Sequence, residues 1–376
     1  MRRRNESAAF LISFCLTILL VANAQTPSPQ AAPASTPGDA ASQPSQASPP
    51  APGSTGSQSQ PAQVPAPPAS TPSSAPAVQS GTKDAGQAPD NDSGVFVFRK
   101  DVEEVVLHAT VIDEKQRIVT SLDKSAFTVY EDGHPQAITS FRHEDIPVAM
   151  GIVVDNSGSM REKRQKVNAA ALNLVRSSNP NDEVFIVNFN DEYYLDQDFT
   201  SSINKLKQGL DKIEARGGTA LYDAVVASAD HLKKNSKLEK KVIFVVTDGE
   251  DNASSESLEQ AVRRLQAENG PTVYAIGILG EEEHPKRAKR ALEVMSERTG
   301  GIAFFPKTLD EVDEISRNVA HDIRSQYTIG YKPSTPRNQG GYRSVRVDAK
   351  SHGYGKLVVR TKSGYYAGQD QASGGQ

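Results

Sequence analysis

The sequence of 376 residues contains a single cysteine, and its seven histidines are scattered without the spacing of a zinc-protease motif. Cys15 lies inside an apolar N-terminal run, so a chain processed after Ala24 would contain no cysteine and no disulfide bond. The formal net charge is −4, and no basic block follows the N-terminal arginines. A mildly acidic chain of this kind is a poor nucleic-acid binder, and its fold must depend on packed cores.

Several motifs of enzymes are also missing. The sequence contains no G-x-G-x-x-G and no Walker loop. Ser157 is not part of a G-x-S-x-G nucleophile elbow, because Asp155 stands where a glycine is needed. No histidine is identifiable as a base for a serine nucleophile. We therefore expect no enzymatic activity; a metal-assisted hydrolase with Asp248 as the base remains as an alternative.

The N-terminal quarter carries signals for export. Residues 1–24 combine a charged start, an apolar run and the small-x-small end "ANA", which together predict a secretory signal peptide. Residues 25–94 are dominated by Pro, Ala, Ser, Gln and Gly and predict a disordered linker. We expect an exported protein that is periplasmic, cell-surface or secreted. An uncleaved signal anchor would be its only attachment to a membrane.

The remaining residues predict an α/β fold between two β-rich flanks. Residues 95–144 and 326–368 are strand-like, whereas short apolar strands alternate with amphipathic helices across residues 145–325. That alternation predicts a doubly wound, mostly parallel sheet with helices on both faces. We expect the flanks to pair into one small β-domain; two separate sheet extensions are the alternative. Residues 369–376 are predicted to be a disordered tail.

Five oxygen-bearing side chains follow strands of this predicted sheet. Asp155, Ser157 and Ser159 come directly after the strand "VAMGIVV", and Asp248 follows "VIFVVT". Thr219 follows Gly217 and Gly218 at the start of another predicted helix. Ligands of open parallel sheets bind beyond the carboxyl ends of the strands. Oxygen ligands favour a hard cation such as Mg²⁺, Mn²⁺ or Ca²⁺.

Each of these residues also has a simpler interpretation. Ser159 and Glu162 fit an S-x-x-E capping box, Thr219 is a suitable helix cap, and Asp248-Gly249 is a common turn. The neighbouring Glu250, Asp251 and Asn252 are expected to be ordinary solvated loop residues; tuning of the local field against acidic partners is the alternative. The joint placement of the five side chains at one sheet edge favours a shared site.

The pattern Asp155-x-Ser157-x-Ser159, with Thr219 and Asp248 downstream, resembles the metal-ion-dependent adhesion site (MIDAS) of von Willebrand factor type A domains. The resemblance covers residues 145–325, and the flanks are similar to a group of secreted bacterial relatives known largely from acidobacteria. It implies that Ser157, Ser159 and Thr219 bind the ion, with Mg²⁺ favoured. Asp155 and Asp248 would act mostly through water or as hydrogen-bond acceptors.

The same resemblance implies a binding module. Neutral hydroxyl ligands leave much of the ion's charge uncompensated, so the ion would attract an exposed Asp or Glu of a protein or peptide partner. Two other functions remain open besides the hydrolase. One is a structural envelope protein whose ion site only stabilises the fold. The other is an assistant of an intracellular ATPase, against which the export signal argues.

Overall fold

The computed structural model describes residues 104–212, 215–280 and 285–368. The predicted signal peptide at 1–24, the linker at 25–94 and the tail at 369–376 lie outside the described residues. Among the helices within the three described ranges, none is long and apolar enough to cross a membrane.

The chain begins with strands, continues with alternating strands and helices, and ends with strands. The first strands are β1 (Val105–Ile112), β2 (Phe127–Glu131), β3 (His134–Gln136) and β4 (Ile138–Arg142). The next strands are β5 (Val148–Asp155), β6 (Glu183–Phe189), β7 (Tyr193–Thr200), β8 (Lys240–Thr247), β9 (Thr272–Gly277) and β10 (Ala303–Phe304). The last strands are β11 (Tyr327–Tyr331), β12 (Tyr342–Ala349), β13 (Val358–Arg360) and β14 (Gly364–Tyr366).

The α-helices of the described residues all fall between β5 and β11. They are α1 (Arg164–Arg176), α2 (Ile203–Asp211), α3 (Leu221–Asn235), α4 (Leu258–Leu265), α5 (Pro285–Thr299) and α6 (Glu311–Arg324). Strands β5 to β10 form a six-stranded sheet in the order β10-β9-β8-β5-β6-β7. The strand pairs are parallel except for the edge strand β7, which is antiparallel to β6. The predicted mostly parallel α/β sheet is confirmed.

Helices cover both faces of this sheet. Met150, Ile152 and Val154 of β5 belong to a core shared with α1, α2 and α6, whereas Ala149 and Val153 belong to a core shared with α3, α4 and α5. Every residue of β5 is buried, as expected for a central strand covered on two sides. Gly151 is required in this strand, because a Cβ there would lie 2.4 Å from the Phe185 ring.

The flanking strands form two antiparallel four-stranded sheets, in the orders β13-β1-β11-β4 and β14-β12-β2-β3. Each sheet contains strands from both ends of the described chain. Leu107 of β1 pairs with Ile329 of β11, and Val129 of β2 pairs with Val347 of β12. The two sheets share one hydrophobic core. The predicted pairing of the flanks is confirmed, and we call this part the β-module.

Two short crossings join the β-module to the six-stranded sheet. Residues 143–147 lead from β4 to β5, and residues 325–326 lead from α6 to β11. Arg324, the last residue of α6, links the two crossings because its guanidinium donates to Asp145 Oδ1 at 2.6 Å. It also donates to Asp182 Oδ2 at 3.0 Å, and the other oxygen of Asp182 accepts from the Val148 amide.

A buried lysine lies in the same region. Lys240, the first residue of β8, donates from its ammonium to the backbone carbonyl of Ile323. Burial lowers the pKa of Lys240 to about 7, and the nearby charge of Arg324 acts in the same direction. This N-terminal end of the sheet is thus fixed by charged groups that bind other groups of the same chain.

Candidate functional site

Three loops meet at the carboxyl end of the parallel strands. The first loop follows Asp155, the last residue of β5; the second contains Asp248 and follows β8. The third contains Gly217, Gly218 and Thr219 and precedes α3. A hydrogen bond from the Gly158 amide to the Gly217 carbonyl, at 3.2 Å, joins the first loop to the third. The sequence-predicted residues therefore lie at one edge of the sheet, as the sheet topology requires.

Asp155 lies at the buried bottom of this site. Its side chain is fully buried, with Oδ1 accepting from the Ser157 amide at 2.8 Å and Oδ2 accepting from the Thr247 hydroxyl at 2.5 Å. Burial raises the pKa of Asp155 to about 6, although these hydrogen bonds act in the opposite direction. Thr247 is a site residue that sequence reasoning missed, because it reads as the last residue of an apolar strand.

The two serines and the second aspartate form a hydrogen-bonded chain. Ser157 Oγ lies 3.1 Å from Ser159 Oγ, and Ser159 Oγ donates to Asp248 Oδ1 at 2.8 Å. The capping-box interpretation of Ser159 is wrong. Helix α1 begins only at Arg164, and its N-cap Lys163 makes no side-chain capping bond. Ser159 is exposed while Asp248 is fully buried, so these hydrogen bonds lead from solvent into the protein.

Thr219 belongs to the same set of loops without acting as a helix cap, because the N-cap of α3 is Ala220. The backbone of Thr219 is held on both sides by Asn252, whose Oδ1 accepts from the Thr219 amide at 2.8 Å and whose amide donates to the Thr219 carbonyl at 3.0 Å. The hydroxyl faces the Asp248 loop: a Cβ built on Gly249 would lie 3.7 Å from Thr219 Oγ1.

The glycines before Thr219 allow a close approach of another loop. Gly217 has φ of +75°, and a Cβ there would lie 2.0 Å from a carboxylate oxygen of Asp191. The same carboxylate accepts from the Gly218 amide at 2.8 Å. A side chain at Gly217 would therefore displace Asp191 and the loop that places Thr219.

Three loop residues were expected to be merely solvated, and for two of them this expectation is wrong. Asn252 holds Thr219, as described above. Asp251 accepts from the Tyr222 amide at 2.9 Å and from the Ser254 hydroxyl at 2.6 Å, which fixes the start of α3. Glu250 is closer to the expectation, since it forms only a 3.4 Å ion pair with the exposed Arg287.

Lys163 is the second site residue that sequence reasoning missed. Its ammonium forms an ion pair with Asp248 Oδ2, the oxygen that Ser159 does not use. The lysine lies four residues after Ser159, just before α1, and its side chain is about one quarter exposed. No motif marks it, because the pairing depends on the reach of a long side chain across 85 sequence positions.

The donor set fits a hard divalent cation. Within the described part of the chain, no group of three or more His, Cys, Asp and Glu side chains is placed to hold a metal ion. The candidate set is of another kind, because three of its five members are the hydroxyls of Ser157, Ser159 and Thr219. All of the donors are oxygen atoms, as Mg²⁺, Mn²⁺ and Ca²⁺ prefer.

Residues 150–250 match the family model of the von Willebrand factor type A domain. This part of the chain contains all five candidate residues and is therefore similar to the domain that the sequence pattern resembles. The chain is also 24% identical over 204 residues to inter-alpha-trypsin inhibitor heavy chain 4 of the mouse. The aligned part covers 49% of this chain and 21% of the mouse protein, so the chain spans about a fifth of that relative's length.

Solved structures show a distant likeness. A von Willebrand factor type A protein from Catenulispora acidiphila is 13% identical to this chain, with a TM-score of 0.42. The alignment covers 72% of this chain and 74% of that protein. Proximal thread matrix protein 1 of the mussel byssus, described with a zinc-occupied MIDAS motif, is 19% identical with a TM-score of 0.42. That alignment covers 52% of this chain and 50% of the mussel protein. With TM-scores below 0.5, these likenesses add no argument about function.

Proposed function

We propose that this protein is an exported binding module that captures an acidic side chain of a protein or peptide through a divalent cation. The observation that carries the proposal is the hydrogen-bonded chain from exposed Ser159 to buried Asp248, with Asp155 buried behind Ser157. The match of residues 150–250 to the von Willebrand factor type A domain supports it. Mg²⁺ is the favoured ion, with Mn²⁺ and Ca²⁺ as alternatives.

Each candidate residue would have a distinct role. The hydroxyls of Ser157, Ser159 and Thr219 would face the ion and bind it through neutral oxygens. Asp248 holds the Ser159 hydroxyl, and Asp155 holds the Ser157 amide, so these two acids fix the loop that presents the serines. When bound, the ion would supply a Lewis-acidic position that an additional carboxylate can occupy.

The partner would be a protein or peptide with an exposed Asp or Glu, and nucleic acid is not expected to bind a chain of net charge −4. The export signal of residues 1–24 and the linker-like residues 25–94 support a location in the periplasm, at the cell surface or in the medium. Attachment to a membrane would occur only if the signal segment is retained as an anchor.

Titration calorimetry of the purified chain with Mg²⁺ and Mn²⁺ tests the ion site. We expect one ion to bind per unaltered chain. The Ser157→Ala variant should bind the ion at least about tenfold more weakly, because it lacks one of the hydroxyls proposed to bind the ion. Ser201→Ala, at an exposed serine beyond the far end of β7, is the matched control and should bind like the unaltered chain. Absence of binding of either ion to the unaltered chain would refute the proposal.

A second experiment separates the binding module from its alternatives. Peptides that differ only by a single Glu or Gln are tested for binding with Mg²⁺ and with EDTA. Binding of only the Glu peptide, and only with Mg²⁺, supports the proposal. An ion that raises the melting temperature without promoting peptide binding indicates a purely structural site. Turnover of an ester by the purified chain, lost in Ser157→Ala, indicates a hydrolase.

A further inference from the structure

A lysine is placed within the candidate ion site. Lys163 and Ser159 bind opposite oxygens of the Asp248 carboxylate: the ammonium pairs with Oδ2, and the hydroxyl donates to Oδ1. Asp248 is fully buried, so only the lysine of this ion pair is in contact with solvent. One acid of the site is thus already neutralised by a cation that belongs to the same chain.

The other cations of this segment point elsewhere. Arg161 donates to the Ala215 carbonyl at 3.3 Å, and Arg164 donates to the Leu210 carbonyl at 3.0 Å. Lys166 pairs with the exposed Asp310. Between Arg161 and Lys166, Lys163 is therefore the residue whose positive charge contacts the acids of the site. Its position is specific, since three neighbouring basic side chains do not share it.

A fixed positive charge next to an ion site has two opposite effects. It lowers the attraction of the site for a divalent cation, because it offsets the negative charge of the buried Asp248 carboxylate with which it pairs. It also attracts an anionic ligand to the loaded site. The ion and the ligand then favour one another, since a carboxylate on the ion compensates the charge that the lysine adds. Coupling of this kind is reciprocal.

We propose that Lys163 is an internal counter-cation that weakens ion binding in the absence of an acidic ligand and couples the ion to that ligand. This inference rests on the proposed function, because it concerns the same ion site. In this arrangement the ion is held more firmly when a carboxylate from a partner is present. Lys163 is a positioning and affinity-setting residue, and it is not itself an ion ligand.

Calorimetric titration with Mn²⁺ alone tests the proposal on the full chain. Lys163→Met removes the charge but keeps an unbranched side chain, and we expect Mn²⁺ to bind it at least about tenfold more tightly than the unaltered chain. Lys163→Arg keeps the charge and should stay within about threefold of the unaltered chain. Lys166→Met removes an exposed cation three residues after Lys163, in α1, and should leave Mn²⁺ affinity unchanged. Melting in EDTA confirms that each variant is folded.

A second titration includes sodium acetate as the carboxylate probe. Acetate should increase the Mn²⁺ affinity of the unaltered chain more than that of Lys163→Met. Equal or weaker Mn²⁺ binding by Lys163→Met overturns the inference while leaving the ion site intact. Equally tight binding by Lys163→Arg and Lys163→Met overturns the charge-based explanation. Failure of the unaltered chain and all variants to bind Mn²⁺ refutes the proposed function itself.

Discussion

The two ends of the central strands use charged residues in different ways. At the N-terminal end, Arg324 binds Asp145 and Asp182, and Lys240 binds a backbone carbonyl of α6. At the C-terminal end, Asp155 and Asp248 are fully buried, but Asp248 holds the hydroxyl of the exposed Ser159. The first end joins parts of the chain to each other. The second holds polar groups in positions from which they can bind another molecule.

The largest expected effect comes from breaking the joint at the N-terminal end. Arg324→Ala leaves Asp182 buried without its cation, and we expect a loss of about 3 kcal/mol in the free energy of unfolding. Urea denaturation measures this change. Arg317→Ala is the matched control, because Arg317 lies on the same helix but forms an exposed pair with Asp313. The control should lose less than about 1 kcal/mol. Similar losses in both variants would contradict the comparison.

A pH titration of stability tests the buried lysine at the same end. The pKa of Lys240 is about 7 in the folded protein and 10.5 in a solvated reference, so between these values the unfolded chain binds more protons. The cost of burying the lysine is therefore fully present below pH 7 and decreases as the pH rises. We expect the stability of the unaltered chain relative to Lys240→Met to rise by about 1.4 kcal/mol per pH unit between pH 7.5 and 9.5.

Lys237→Met provides the control for this titration. Lys237 is exposed, so its replacement should shift stability by a small amount that does not depend on pH in this range. Unfolding by urea at several pH values gives the required differences. A flat difference between the unaltered chain and Lys240→Met would show that the ammonium is not desolvated by its position at the start of β8.

The smallest expected effect on stability comes from the C-terminal end. Ser159→Ala removes an exposed hydroxyl, and we expect a change in unfolding free energy of less than about 1 kcal/mol in EDTA. The same variant should lose the increase in melting temperature that Mg²⁺ gives the unaltered chain. Differential scanning calorimetry with Mg²⁺ and with EDTA measures both quantities. A large loss of stability in EDTA would mean that Ser159 serves the fold rather than a ligand.

Much of this architecture could be predicted because it depends on patterns within the sequence. Buried strands such as β5 are continuous apolar runs, and the rule that ligands bind beyond the carboxyl ends of parallel strands brings Asp155 and Asp248 together. Thr219 could be placed with them because two glycines and a helix start mark its loop. The pairing of the flanks followed from the marginal stability of isolated strands.

The remaining features depend on long-range contacts of single side chains. Lys163 pairs with Asp248 across 85 positions, and Arg324 pairs with Asp145 across 179. No periodicity or motif encodes such contacts. A local motif also gave a wrong prediction for Ser159, which has the spacing of a capping box. Helix α1 begins only five residues later, and the Ser159 hydroxyl instead donates to Asp248. The role of Asn252 was also missed, because its partner Thr219 lies in another loop.

The Arg324–Asp145 pair has a mechanical consequence. Within the described residues, the backbone crosses between the six-stranded sheet and the β-module only at residues 143–147 and 325–326. A pull on the outer loops of the sheet, opposed by a pull on the β-module, would stretch both connections in parallel. The ion pair joins one connection to the other, so a force on either connection would be shared by both.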